Sequence, residues 1–372
     1  MKIGYCILAS IIFISACKNE QVDNTDAAQL KSIDYSFYSE IMDEERSYTV
    51  YSPLNSGGEE NKQLPVLFIL DGPTYFSYFK ALLEQWSNKN EIVLPEMVIV
   101  SIKQENRSSE FLPSYMNNKG NGDAFLLYLE KELIPAIERD YSVLTNRTLF
   151  GHSRGGLFGL NVLLQAPDLF ENFIISDPSL TLGDQAFIKK WDEEKTKLEN
   201  YQKSLFIGLA DTKEGYTLDY VLDIDSDAYP HMRVIWSFCK ELEKDSMKNK
   251  HSKWKYYEGF GHNTIPAMVA MDGLLSVFDY HRLDKYGLIY SHLNGVISYD
   301  EFKETIIAHF DEISLRMGSA VLPFEELIFE YGEIFLEEDM NEKAMEMFEW
   351  NVDNFPKSVQ SKKMLEEYSI SQ

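Results

Sequence analysis

The chain has 372 residues, 35 of them basic and 60 acidic, for a formal charge of −25. That length admits one large domain with an appendage, and the 44% hydrophobic and 13% aromatic content suits a packed core rather than disorder or a fibre. So acidic a surface repels phosphate backbones and anionic headgroups, so no nucleic acid partner is expected and solubility is the plain use of the charge.

The first seventeen residues read apart from the rest. Lys2 gives a positive start, and Ile3 to Ile14 form a mostly apolar run. A helix of about a dozen residues reaches only ~18 Å, short of the ~30 Å hydrocarbon core, so a signal peptide fits better than a membrane span. Ile14-Ser15-Ala16-Cys17 resembles a bacterial lipobox. This implies that residues 1–16 are removed, that Cys17 carries a lipid, and that residues 17–34 tether the protein to the cell envelope. A plain secretory signal cut nearby is the alternative. Cys6 then leaves with the signal, so the mature chain keeps Cys239 as its one unmodified thiol and has no internal disulfide. Cys239 falls among Val234, Ile235, Phe238 and Leu242 at helical spacing and is expected in the core.

From 35 to 283 short β-rich runs alternate with amphipathic stretches. The runs are Tyr48–Tyr51, Val66–Leu70, Met97–Ile102, Thr148–Phe150, Phe173–Ser176, Leu205–Ala210 and Trp254–Tyr257. The expected helices are Phe76–Trp86, Ala124–Tyr141, Gly156–Gln165, Tyr229–Lys244 and Ile265–Tyr280. Such alternation predicts an α/β domain, a mostly parallel sheet flanked by helices. Residues 284–372 lack β-rich runs and predict a small all-α appendage: Phe302–Arg316, Phe324–Leu336, Glu342–Asn354 and Gln360–Tyr368. Tyr331, Gly332, Phe335, Ala344, Phe348, Asn351 and Pro356 fall at the intervals of one tetratricopeptide-like unit, over about 325–358. One such unit cannot bury its own face, so docking on the preceding domain is expected, with binding of a protein partner as the alternative.

Gly151-His152-Ser153-Arg154-Gly155 lies between a strand and a helix, and there it resembles the nucleophile elbow of the α/β-hydrolase fold. Small residues on both sides of Ser153 permit a sharp turn that lifts its hydroxyl out of the sheet. A serine needs a base, which in this fold comes late in the chain. Of seven histidines, His262 alone sits in a loop directly after the last strand, in Gly259-Phe260-Gly261-His262-Asn263. His231 and His251 flank a helix and have no strand end beside them. The acid is expected where the preceding strand ends, at Asp211, with Glu214, another carboxylate or a Ser–His dyad without an acid as the alternatives. The oxyanion donors are expected to be the Arg154 amide and the Gly72 amide, since Pro73 has no N–H. Asp223, Asp225 and Asp227 alternate like a calcium loop, but Ala228 and Val234 occupy its glycine and glutamate positions, so no metal is expected.

Leu70-Asp71-Gly72 after a strand, Asn106-Arg107 in the next loop, Glu132-Leu133-Ile134-Pro135 and Gly151-His152-Ser153 together resemble the esterase family that includes esterase D and the enterochelin-esterase-like hydrolases. The resemblance spans roughly 35–280. It implies a carboxylic ester hydrolase that needs no cofactor, with Ser153 and His262 in the catalytic positions; the expected substrate is a small-molecule ester, whether a small acyl, a siderophore-like or a carbohydrate-linked one. Arg107 and Asp71 are candidates for substrate contact, a structural ion pair being the alternative for Arg107. A catalytically degenerate lipoprotein scaffold is the competing reading.

Overall fold

The computed structural model describes residues 32–371 except 54–62, 88–92, 117–119, 214, 224–229 and 245–250. The expected signal peptide, Cys17 and most of the tether lie outside the described residues, as do Glu214, Asp225 and Asp227. Among the described residues no helix is long and apolar enough to cross a membrane.

Among the described residues eight strands form one sheet: β1 (Ser32–Ser39), β2 (Glu44–Tyr51), β3 (Leu64–Ile69), β4 (Val98–Ile102), β5 (Val143–His152), β6 (Asn172–Ser176), β7 (Ser204–Ala210) and β8 (His251–Tyr257). Their order is β1-β2-β4-β3-β5-β6-β7-β8; β1–β2 and β2–β4 pair antiparallel, and the remaining neighbours pair parallel. β3, β4, β6 and β7 are buried at every position, which explains why they read as continuous apolar runs rather than alternating ones. β1 shows an exposed–intermediate alternation typical of an edge, and no expected strand covers it.

The crossovers supply α1 (Gly72–Trp86), α2 (Arg107–Glu110), α3 (Gly122–Tyr128), α4 (Ile134–Asp140), α5 (Arg154–Gln165), α6 (Leu182–Glu194), α7 (Leu218–Leu222), α8 (Pro230–Lys244) and α9 (Pro266–Val277). Between α3 and α4 the helix widens into a π turn over Leu129–Leu133, just before Pro135, which has no N–H to donate. Glu132 on that turn accepts from Ser39 Oγ and from the amides of Glu40 and Ile41, pinning the β1–β2 hairpin. Cys239 is buried on α8, as its spacing predicts, and burial pushes its thiol pKa up.

One face of the sheet packs on α3 to α6 and α8 through residues such as Phe158, Trp191 and Phe238. The opposite face packs on α1 and α9, and there the core continues into the C-terminal helices through Phe302, Phe310, Leu327 and Tyr331. Those helices are α10 (Lys285–Leu293), α11 (Tyr299–Met317), α12 (Glu325–Glu337), α13 (Asn341–Asn354) and α14 (Val359–Ser371). A capping box of Ser298 and Glu301 starts α11, and Gly318 ends it in the left-handed conformation. Asn146 on β5 donates to the Arg316 carbonyl at 2.9 Å, tying α11 to the sheet. α12 and α13 cross where Gly332 meets the Phe348 ring, and Asn351 bonds the Glu325 carbonyl and Ser361.

Candidate active site

Parallel strands place their C-terminal ends on one edge, and in such sheets that edge is where ligands bind. β5 ends at His152, β6 at Ser176, β7 at Ala210 and β8 at Tyr257, so the loops that follow share that side.

Ser153 follows β5 with φ 59° and ψ −118°, a conformation costly for any residue with a Cβ. Its neighbours enforce the bend: a Cβ on Gly151 would lie 2.3 Å from the Gly155 carbonyl oxygen, so only glycine fits there. The Ser153 amide donates to the Ser176 carbonyl at 2.9 Å, anchoring the turn to the adjacent strand.

The Ser153 hydroxyl lies 3.0 Å from His262 Nε2 and 3.1 Å from Ser179 Oγ. His262 Nδ1 in turn lies 2.5 Å from Asp177 Oδ2. These three side chains come from points 24 and 85 residues apart, brought together by the ends of β5, β6 and β8. A hydroxyl bonded to an imidazole bonded to a buried carboxylate can pass a proton from oxygen to nitrogen and hold the charge that results.

The acid expected from the sequence is Asp211; the structure puts Asp177 at the imidazole instead. Both aspartates follow a strand, β6 and β7 respectively. Asp211 Oδ2 is taken by the Lys213 ammonium at 2.5 Å and the Gly259 amide at 2.9 Å, while its amide donates to the Phe260 carbonyl at 2.7 Å. It therefore braces the loop that carries His262. Asp177 is fully buried and left-handed at φ 42°. Its Oδ1 accepts the Ala210 amide at 3.0 Å, and its Oδ2 also faces His231 Nε2 at 3.0 Å. Burial alone would raise the Asp177 pKa; the bonds from His231 and His262, the His231 charge and the Ala210 amide outweigh it and hold the pKa well below the usual carboxylate range. His231 is a second neighbour that the sequence did not nominate.

His152 holds the elbow to the histidine loop. Its Nε2 sits 2.9 Å from the His262 carbonyl oxygen, which can only accept, so that nitrogen carries the proton. Nδ1 then accepts from the Tyr75 hydroxyl at 2.7 Å. Burial, reinforced by the nearby His262, lowers the His152 pKa to about 4 and keeps the ring neutral.

Arg107 and Asp71 meet beside this cluster. Arg107 Nε donates to Asp71 Oδ1 at 2.7 Å, Nη2 to the His152 carbonyl at 3.2 Å, and the guanidinium lies 5.3 Å from the Phe111 ring centre. Burial raises the Asp71 pKa, partly offset by Arg107. Arg46, paired in bidentate fashion with Glu110 at 3.0 and 2.8 Å, fixes this loop, since Glu110 also accepts the amides of Glu105 and Asn106. The Asp71 amide is occupied by Gln104 Oε1 at 2.7 Å. Gly72 and Arg154 each open a helix, α1 and α5, so their amides lie in first turns, where helical N–H groups lack intrahelical acceptors.

Residues 39–215 match the model of the family described as "Putative esterase". The chain is 29% identical over 195 residues to the ferri-bacillibactin esterase BesA of Bacillus subtilis (strain 168), across 46% of this chain and 68% of that protein. It is similar in fold to an IroE-like serine hydrolase from Shewanella oneidensis, with TM-score 0.70 and 24% identity over 87% of this chain and all of the other. It is also similar to the BES protein of Bacillus cereus, with TM-score 0.58 and 21% identity over 74% of this chain and 99% of that one. The family model thus matches just under half of the chain, and the two solved structures share its fold.

Proposed function

We propose that this protein is a serine carboxylic ester hydrolase that works through an acyl-enzyme. One observation carries the reading: Ser153 Oγ, His262 and the buried Asp177 lie in hydrogen-bonded series at 3.0 and 2.5 Å. His262 takes the Ser153 proton as the oxygen attacks an ester carbonyl, and Asp177 orients the imidazole and steadies its charged form. The amides of Arg154 and Gly72 bind the developing oxyanion. The alcohol departs with the proton from His262. Water, deprotonated by the same ring, then releases the acid and restores Ser153.

The relative named for a ferri-siderophore supports a siderophore-like ester as the substrate class. Arg107 is half-engaged with Asp71 yet 38% exposed, which leaves it available to a polar or anionic substituent of that substrate. The apolar Ile3–Ile14 run and Ala16-Cys17 favour export and a lipid anchor on the bacterial envelope.

Ser153→Ala tests the reading. Hydrolysis of p-nitrophenyl acetate should vanish while the circular dichroism spectrum and melting temperature stay those of the wild type; turnover that survives removes the serine mechanism.

A further inference from the structure

Asp177 is asked to serve two imidazoles at once. The same oxygen, Oδ2, lies 2.5 Å from His262 Nδ1 and 3.0 Å from His231 Nε2, and the two rings stand edge to face with centres 5.6 Å apart. The other oxygen is occupied by the Ala210 amide. A carboxylate is acceptor-only, so both imidazole nitrogens must present N–H toward it. His231 therefore carries its proton on Nε2, whatever its charge, and His262 carries one on Nδ1, which leaves the His262 Nε2 lone pair for the Ser153 hydroxyl.

The placement of His231 is built into the fold. It follows Pro230 in the first turn of α8, and α8 is held against the sheet by the buried Met232, Val234, Ile235 and Phe238. Asp177 is equally constrained, fully buried on a left-handed backbone whose amide donates to the Gly208 carbonyl at 2.8 Å. A buried carboxylate with one donor on Oδ2 could swing about its terminal bond or take up a proton. A second donor from another direction removes both options.

Building on the serine hydrolase reading, we propose that His231 is a positioning residue that clamps Asp177 with a second N–H on the oxygen His262 uses, and so holds Oδ2 in place for that imidazole. The Ser153 hydroxyl bonds His262 and Ser179, not His231, which acts through the carboxylate. The role is one of geometry and of donor supply, so an uncharged donor of similar reach can take it over.

The test compares His231→Leu with His231→Gln in the full chain, with p-nitrophenyl acetate as substrate and thermal melting as the fold control. His231→Leu should lower kcat about 10-fold or more, the usual scale for losing a hydrogen bond to a charged group, with KM within about twofold of the wild type. His231→Gln, whose side-chain amide still donates, should recover most of that loss. Wild-type kcat in His231→Leu overturns the proposal. So does an equal loss in both variants at unchanged melting temperature, or a loss confined to KM. Ser153→Ala separates the two readings: if it stays active the serine mechanism fails by itself, whereas a dead Ser153→Ala beside a full-speed His231→Leu sinks only the clamp.

Discussion

Two aspartates stand at equivalent strand ends, and their surroundings assign them different work. Asp177 is sealed from water and meets imidazoles; Asp211 meets an ammonium and a backbone amide. Asp177→Asn should therefore reduce kcat on the order of 10⁴-fold, because an amide favours the wrong imidazole tautomer. Asp211→Asn should cost less than about 10-fold, since it loosens a loop and leaves the charge relation intact. Steady-state kinetics on the two purified variants decide the matter, and the reverse ranking would return the acid to Asp211. The nucleophile and base candidates were legible because each rests on local pattern, a strand–turn–helix around Ser153 and a glycine-bracketed loop around His262. The acid was not. Ser176-Asp177-Pro178 and Ala210-Asp211 look alike as strings, and only the twist and order of β6 and β7 decide which carboxylate reaches the ring. The basic Lys213 two residues beyond Asp211 was the available local hint that this carboxylate was already engaged. His231 was hidden for a similar reason: a helix start has no strand end beside it in sequence, yet α8 sets its first turn against the end of β6.

At the scale of elements, the seven strands from β2 to β8 were readable: full burial writes an apolar run into β3, β4, β6 and β7, and β-branched or aromatic residues mark the part-buried β2, β5 and β8. β1 was not, since an edge strand that buries little carries a polar, ambiguous pattern (Ser32-Ile33-Asp34-Tyr35). α6 was missed because its first turn is left-handed at Gly183, Asp184 and Gln185 and its buried anchors are only Phe187 and Trp191. The four expected C-terminal helices fall where their periodicity places them. In the α12–α13 crossing, Gly332 allows contact so close that a Cβ would lie 2.4 Å from the Phe348 ring. Alanine improves helix propensity by about 1 kcal/mol, whereas overpacking a buried contact costs ~1–3 kcal/mol. Because Phe348 is fully buried and cannot step aside, the clash wins. Gly332→Ala should destabilise the protein by about 1 kcal/mol or more in urea unfolding; a stabilised variant would mean the ring has room to move.

For the whole molecule, the C-terminal helices are part of the second core rather than a pendant. Phe302, Ile306, Phe310 and Ile313 share that core with Phe79, Phe150 and Val269 of the α/β body. The likeness to the Shewanella protein covers 87% of this chain, a share that residues 32–283 alone could not supply. Ending the chain after Leu283 should expose that face. We expect the shortened protein to bind a hydrophobic dye and to aggregate; a monomer that melts cooperatively with full activity would show the helices to be dispensable. The bond from Asn146 to the Arg316 carbonyl joins residues 170 positions apart. At translation speeds of about 5–20 residues per second, the partner of Asn146 leaves the ribosome roughly ten seconds or more after it does. Through that interval the strand that leads into Ser153 keeps part of one apolar flank uncovered, a surface open to misassembly until the last helices arrive.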